Sequence, residues 1–508
     1  MEKDPNSDRV ASTSDSIGSS PTSRKRLFII AGSILAIVLA LIVWQRGYGP
    51  TSSPDGIARD GTHSGGAFGE LESRVSEKSS SKEWSIANVF RSKRTETERV
   101  TTVDSSEAMS SMPPPPPPAD LSPTTPYQGR TQPAPNPGIL TAGDYDDLLN
   151  PDFYADYASG FLQSNASDLP FVDTREQFEI KVTDARGRAV PHVPIRIRQE
   201  GGGTLTLQTA ADGKALIFPR FDRIDRRARV SVGNGAALKT IDISQGTSTT
   251  VRTNLPARRV NSADILLVLD TTGSMQDEID YLETELDDIM QRLRSSEGQT
   301  DIRIGMIVYR DQGDDYVTRK YQFTNDIQAM RATLAQQEAS GGGDGPEAVE
   351  AALAEADKFQ WRPRAAKILL HVADAPPHRQ DIDTALRSAQ TLRSKGVQFV
   401  PVAASGSDPF AEYTMRTMAV MTQGRYVFIT DDSGVGNPHA EPDVDCYQVT
   451  PLNSLLARII SGMIQGRRLE ASQNEVIRSV GVYNKGRCEA DFSVAPGLTS
   501  RPLPVWEG

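Results

Sequence analysis

The stretch Ala263-Asp-Ile-Leu-Leu-Val-Leu-Asp270-Thr-Thr-Gly-Ser274 governs how the rest of the chain is read. Its apolar run is too short for a long helix and is bounded by a turn, the pattern of a buried parallel strand. After Ser274, the residues Met275, Ile279, Leu282, Leu286, Ile289, Met290 and Leu293 recur on one helical stripe, with Asp and Glu on the other faces. A carboxylate and two hydroxyls at alternate positions therefore stand where a strand turns into a helix. In an open parallel sheet this is the edge at which ligands bind. The competing reading is local: Thr and Ser cap the helix and Asp270 satisfies the turn.

Around this stretch, residues 262–466 alternate strand and helix. Strands are expected at Ile265–Leu269, Ile302–Tyr309, Lys320–Phe323, Lys367–Ala373, Gln398–Val402 and Tyr426–Ile429. Helices are expected at Pro346–Phe359, which opens on proline, and at Leu452–Ile464. The fold class is α/β, a doubly wound, mostly parallel sheet covered on both faces. Upstream, residues 170–256 switch to period two, with Phe178, Ile180 and Val182, then Val193, Ile195 and Ile197, and a hairpin signal at Asp212-Gly213. Short strands at this spacing make a small all-β sandwich. The string VTDARGRAVPHVPIRI…TAADGKALIFP resembles carboxypeptidase-regulatory-like and Ig-like modules of surface proteins.

The N-terminal part has a different character. Residues 1–26 are polar and end in Arg24-Lys25-Arg26; residues 27–44 (LFIIAGSILAIVLALIVW) carry no charge. Eighteen residues at about 1.5 Å each span roughly 27 Å, near the thickness of a bilayer core. The basic flank puts the N-terminus in the cytoplasm. The expected topology is a transmembrane signal anchor with the bulk of the chain periplasmic or extracellular. Residues 45–169 are rich in Ser, Thr, Gly and Pro and read as a disordered linker. Its proline run 113–118 is a stiff spacer, with an SH3-type ligand as the alternative. Aromatics at Phe153, Tyr154 and Phe161 suggest a short helix docked on a neighbouring domain, or a partner-binding segment. The tail 467–508 is polar.

The formal net charge of −11 argues against a nucleic-acid binder, and two cysteines exclude a cysteine-based zinc cluster. The five histidines form no His-Glu-x-x-His. Cys446 and Cys488 flank the last helix and are expected to pair in an oxidising compartment, two free thiols being the alternative.

Three loops should converge at the carboxyl ends of the strands: Asp270-x-Thr272-x-Ser274, Gly341-Gly-Gly-Asp344-Gly-Pro346-Glu347, and Ala373-Asp374-Ala-Pro-Pro-His378. Carboxylates and hydroxyls without thiolates are the donor set of a hard cation, Mg²⁺, Mn²⁺ or Ca²⁺. With these motifs, residues 263–466 resemble a von Willebrand factor type A domain with a metal-ion-dependent adhesion site. The stretches VYRDQGDDY, GGGDGPEAV and HVADAPPH are similar to a bacterial and kinase-associated subset and to the type A-like domain of integrin β subunits. The resemblance implies that Asp270, Thr272, Ser274 and Asp374 hold the metal, with Glu347 as the second-loop ligand where most of the family has threonine. It also marks Asp277 and Glu278, and Asp311 with Asp344, as candidates for two adjacent metal sites. Gly342 stands where the integrin pattern has an asparagine ligand. Asp277 and Glu278 are equally accounted for by favourable charge at a helix N-terminus. Asp314 and Asp315 read as a solvated loop.

The function expected from this is a membrane-anchored, non-catalytic adhesion module. It would bind an Asp or Glu of a protein partner through the cation, at a bacterial inner membrane. The alternatives are a metal-dependent hydrolase, using Asp374 or His378 on a metal-bound water, and a metal-independent envelope assembly scaffold.

Overall fold

The computed structural model describes residues 136–343, 345–434 and 437–489, the side chain of Asp277 excepted. The expected cytoplasmic tail, the span 27–44 and the proline run lie outside these residues. Among the described residues no helix is long and apolar enough to cross a membrane.

The chain enters regular structure earlier than its composition suggests. Strand β1 (Thr141–Tyr145) and helix α1 (Pro151–Asn165) occupy the end of the stretch read as linker. Next comes a sandwich of β2 (Phe178–Thr183), β3 (Pro194–Arg198), β4 (Thr204–Gln208), β5 (Lys214–Ile217), β6 (Arg227–Val232), β7 (Ala237–Asp242) and β8 (Ser248–Arg252). Its two sheets, ordered β5-β2-β8 and β4-β3-β6-β7, enclose a core of Ile180, Ile195, Ile197, Val230 and Val232.

The α/β part follows as β9 (Ser262–Asp270), α2 (Gln276–Glu297), β10 (Asp301–Tyr309), β11 (Thr318–Thr324), α3 (Ile327–Leu334), α4 (Val349–Asp357), β12 (Ala366–Ala373), α5 (Ile382–Ser394), β13 (Val397–Ala403), α6 (Pro409–Met421) and β14 (Tyr426–Thr430). It closes with β15 (Tyr447–Pro451), α7 (Leu452–Gln465), β16 (Arg478–Val480), β17 (Val482–Asn484) and β18 (Arg487–Glu489). The nine-stranded sheet is ordered β11-β10-β9-β12-β13-β14-β1-β15-β16. β10, β9, β12, β13 and β14 run parallel. Alternate residues of β9 serve opposite faces: Ile265, Leu267 and Leu269 join one core, Leu266 and Val268 the other. A strand buried on both sides favours apolar residues at successive positions, the run seen at Ile265–Leu269, while buried Asp264 is paired with Arg303 and Arg362.

One boundary is corrected. The linker does not extend to residue 169, because β1 lies antiparallel between β14 and β15, with Thr141 opposite Thr430 and Tyr145 opposite Tyr426. α1 is held through Arg416 of α6, whose guanidinium is 1 % exposed and 2.8 Å from Asp147. It also donates to Glu412 and to the Asp443 carbonyl, and lies 3.8 Å over the Tyr157 ring. Phe161 of α1 stacks on Tyr413 at 4.5 Å. The polar tail contributes to the sheet as well: β16 pairs with β15, and a disulfide joins Cys446 to Cys488.

The sandwich docks on the amino-terminal edge of the parallel strands. Buried Arg393, at the end of α5, holds Asp222 at 2.6 Å and the Leu216 carbonyl at 2.9 Å. The opposite, carboxyl-terminal edge is left to the loops.

Candidate functional site

β9 delivers Asp270 to that edge fully buried. Its Oδ1 accepts from the Thr272 backbone N–H at 2.9 Å and from Thr272 Oγ1 at 2.8 Å. The Thr272 hydroxyl stands 3.4 Å from the Ser274 hydroxyl, so the first loop presents its oxygens side by side. Gly273 donates to the Gly341 carbonyl and Ser340 to the Thr271 carbonyl, which bonds the second loop to the first. Gly341 and Gly342 take φ of +80° and +63°. A Cβ at Gly342 would come within 2.7 Å of Glu347 Oε1 and 3.0 Å of Thr272 Cβ, so the glycines let the two loops close on each other.

The expected helix from Pro346 begins instead at Val349. Glu347 remains extended, bridging Pro377 and donating its N–H to the Pro376 carbonyl at 2.9 Å. This brings its carboxylate to the third loop, where Asp374 follows β12 and is 6 % exposed. Thr272, Ser274, Glu347 and Asp374 line one cleft of about 370 Å³ with Gly341–Gly343, and Asp270 lies beneath Thr272.

The electrostatics of this cleft are unfavourable without a counter-charge. Burial and the neighbouring Asp374 push the Asp270 carboxyl up to about 7. Burial, then Asp270, Asp311 and Asp374, push Glu347 up to about 9. Asp270 Oδ2 and Glu347 Oε2 are buried with no hydrogen-bond partner. Behind them Tyr309 lies against Asp270, and its hydroxyl meets His371 Nε2 at 2.9 Å. Burial lowers that imidazole to about 4, so it stays neutral.

Residues 264–438 match the von Willebrand factor type A domain family. This part of the chain is a type A domain. An alpha-protein kinase, vwkA, of Dictyostelium discoideum is 29 % identical over 124 residues, covering 24 % of this chain and 20 % of that protein. An ariadne-like RING finger protein of Acanthamoeba polyphaga mimivirus is 32 % identical over 117 residues, covering 23 % and 11 %. The chain thus spans a fifth or less of the length of these relatives. Among solved structures, BatB of Bacteroides thetaiotaomicron aligns with a TM-score of 0.28 at 15 % identity, over 40 % of this chain and 98 % of that one. The pilus adhesin SpaC of Lactobacillus rhamnosus GG aligns with a TM-score of 0.31 at 11 % identity, over 41 % and 31 %.

The residues named for adjacent metal sites fare differently from the five at the centre. Asp344 and the Asp277 side chain lie outside the described residues. Glu278 of the type A domain is buried, accepts from the Ser405 N–H at 2.9 Å and lies 3.6 Å from His439 Nε2. Asp311 bonds His378 Nε2 at 2.7 Å. Both carboxylates meet protein groups that the sequence does not point to, because each histidine lies far along the chain.

Asp314 is a correction. It is not merely solvated: its Oδ2 accepts from the N–H groups of Asp311 at 3.1 Å and Gly342 at 2.9 Å. Tyr316 in the same loop meets the Thr271 hydroxyl at 2.7 Å, with Arg310 and Arg319 stacked against its ring. Arg310 in turn donates to the carbonyls of Thr271 and Glu338. The loop between β10 and β11 therefore ties down the first two site loops. No sequence motif pointed to this, since its acceptors serve backbone groups remote in the chain.

Proposed function

We propose that the carboxyl-terminal edge of the type A domain binds a divalent cation and offers it to an acidic residue of a protein partner, without catalysis. Asp270, Thr272, Ser274, Glu347 and Asp374 would hold the ion. Mg²⁺ and Mn²⁺ suit the donor set, and Ca²⁺ is the larger alternative. The observation that carries this reading is the buried, unpartnered carboxylate oxygen of Glu347 in the cleft, with the buried Asp270 carboxylate directly beneath Thr272. Buried charge without a partner is strongly disfavoured, and a cation is the group that relieves it. Among the described residues no three His, Cys, Asp or Glu side chains are set to hold a metal by themselves, so the hydroxyls of Thr272 and Ser274 are essential to the reading. The cation supplies a positive centre; this chain's residues orient it and exclude water from beneath it.

The rest of the proposal concerns placement. The uncharged stretch 27–44 behind Arg24-Lys25-Arg26 supports a single span with the domains outside the cytoplasm, and the Cys446–Cys488 disulfide suits an oxidising compartment. The deciding experiment is calorimetry of the full chain in detergent with MgCl₂ and MnCl₂, against Asp270→Ala. We expect binding by the wild type that the variant loses while keeping its circular dichroism. No divalent binding at about millimolar concentration would sink the reading. Partner binding that survives EDTA would select the metal-independent scaffold instead.

A further inference from the structure

The five parallel strands end at one edge, from which the loops 310–317, 374–381, 404–408 and 431–446 depart, with 338–347 bonded to them. The described residues of these segments hold thirteen Asp or Glu, two Arg and no Lys. The formal charge of the whole chain is −11, so this one edge carries a negative excess as large as that of the entire molecule. Part of it is offset: Arg478 of β16 holds Asp432 at 2.8 Å. Arg310 is buried beneath Tyr316, donates to two carbonyls and reaches Asp315 only at 3.9 Å; Arg379 is paired with Asp168. Asp315, by contrast, has its side chain 85 % exposed, and Glu338 is exposed beside it in the next loop.

An acidic rim alone would gather only counter-ions. The second observation is at its centre: Glu347 lines the cleft, is 2 % exposed, and holds Oε2 without a hydrogen-bond partner. A cation seated there adds two positive charges and leaves the surrounding edge negative. A partner carboxylate reaching the cation must bring its own surroundings into that field. Like charges facing across an interface repel, whereas a surface of opposite sign is steered in and held in register.

We propose that the partner of this edge is a basic protein surface, in which one Asp or Glu stands among lysines and arginines. The acidic residue takes the cation and the basic ones face Asp315, Glu338 and the rest of the rim. This rests on the cation-site reading above and adds the partner's charge to it.

The test uses the full chain in detergent with MgCl₂ and short fluorescent peptides sharing a central Asp flanked by lysines, serines or glutamates. The lysine-flanked peptide should bind about tenfold more tightly than the serine-flanked one at low salt, and the glutamate-flanked one should bind least. Raising NaCl from about 20 to about 200 mM should remove most of that preference, because exposed charges are screened. EDTA, or a central Asp→Ser change in the peptide, should abolish binding. The double variant Asp315→Asn with Glu338→Lys should cut the preference to under about threefold while its Mg²⁺ affinity by calorimetry is unchanged. Equal binding of the lysine- and serine-flanked peptides, both lost in EDTA, overturns the basic-partner inference and leaves the cation site standing. Lysine-peptide binding indifferent to EDTA and to the central Asp, or no lysine-peptide binding at all, also overturns it. Failure of the wild type to bind Mg²⁺ in calorimetry removes the cation site itself, and the inference with it.

Discussion

Replacing Glu347 by Gln should make the metal-free protein more stable, against the usual expectation for a buried residue. The carboxyl is pushed up to about 9 in the fold from 4.5. Between those values the folded state binds a proton that the unfolded state does not, so wild-type stability falls as pH rises through this window. At pH 7 the cost is about 3 kcal/mol, from 1.36 kcal/mol per pH unit above the unfolded value. Gln keeps the shape and cannot ionise, and it also relieves Asp270. In EDTA the variant should therefore exceed the wild type by up to about 3 kcal/mol at pH 7, with the gap closing near pH 5. Saturating Mg²⁺ should act the other way: a ligand at about a hundred times its Kd adds about 2.7 kcal/mol to the wild type and less to the variant. Urea denaturation followed by tryptophan fluorescence, in EDTA and in MgCl₂ across pH 5 to about 8.5, reads both effects. A variant no more stable than wild type in EDTA at pH 8 would refute the reasoning.

Three further outcomes are expected. Asp314→Ala removes the acceptor for the Asp311 and Gly342 N–H groups, and should weaken Mg²⁺ affinity about tenfold by calorimetry while Asp315→Ala leaves it unchanged. Asp147→Ala strips a carboxylate from Arg416, a guanidinium 1 % exposed; breaking such a pair should cost about 3 kcal/mol in urea denaturation, and a loss under about 1 would contradict its role in docking α1. Cys446→Ser opens a loop with a sequence separation of 42; the chain-entropy relation gives a loss of about 4 kcal/mol, and equal stability of wild type with and without reductant would count against it.

What the sequence revealed follows from where each element's constraints lie. β9 and β12 were readable because burial on both faces favours the apolar runs Ile265–Leu269 and Ile368–Leu370. The oxygens of Asp270, Thr272 and Ser274 were readable because alternate positions of one short loop place them together. Glu347 came from resemblance, since its approach to Asp374 depends on the Pro376 contact. β1 was hidden for a physical reason. Gly143 lies where a Cβ would strike the Phe428 ring, and Asp144 is neutralised by Arg425 and Arg468. Its sequence, Thr-Ala-Gly-Asp-Tyr, thus answers to rings and cations that arrive hundreds of residues later, and carries no strand period of its own. The histidine partners of Glu278 and Asp311 were hidden on the same ground, being supplied by other loops.

The position of β1 has a consequence for how the chain is made. Thr141 and Thr430, hydrogen-bonded neighbours in the sheet, are separated by 289 residues. At about 5–20 residues per second, synthesis leaves β1 waiting on the order of a quarter of a minute to a minute for its partners. The sandwich strands, whose pairings all close within residues 178–252, are completed in that interval and can fold first. The large sheet then assembles with a five-residue slot between β14 and β15 that only β1 fills. Pairings of such long separation form slowly, and an open slot accepts the same strand from a second copy as readily as from its own. Refolding at high concentration should accordingly yield dimers that have exchanged residues 141–145, and dilution during refolding should suppress them.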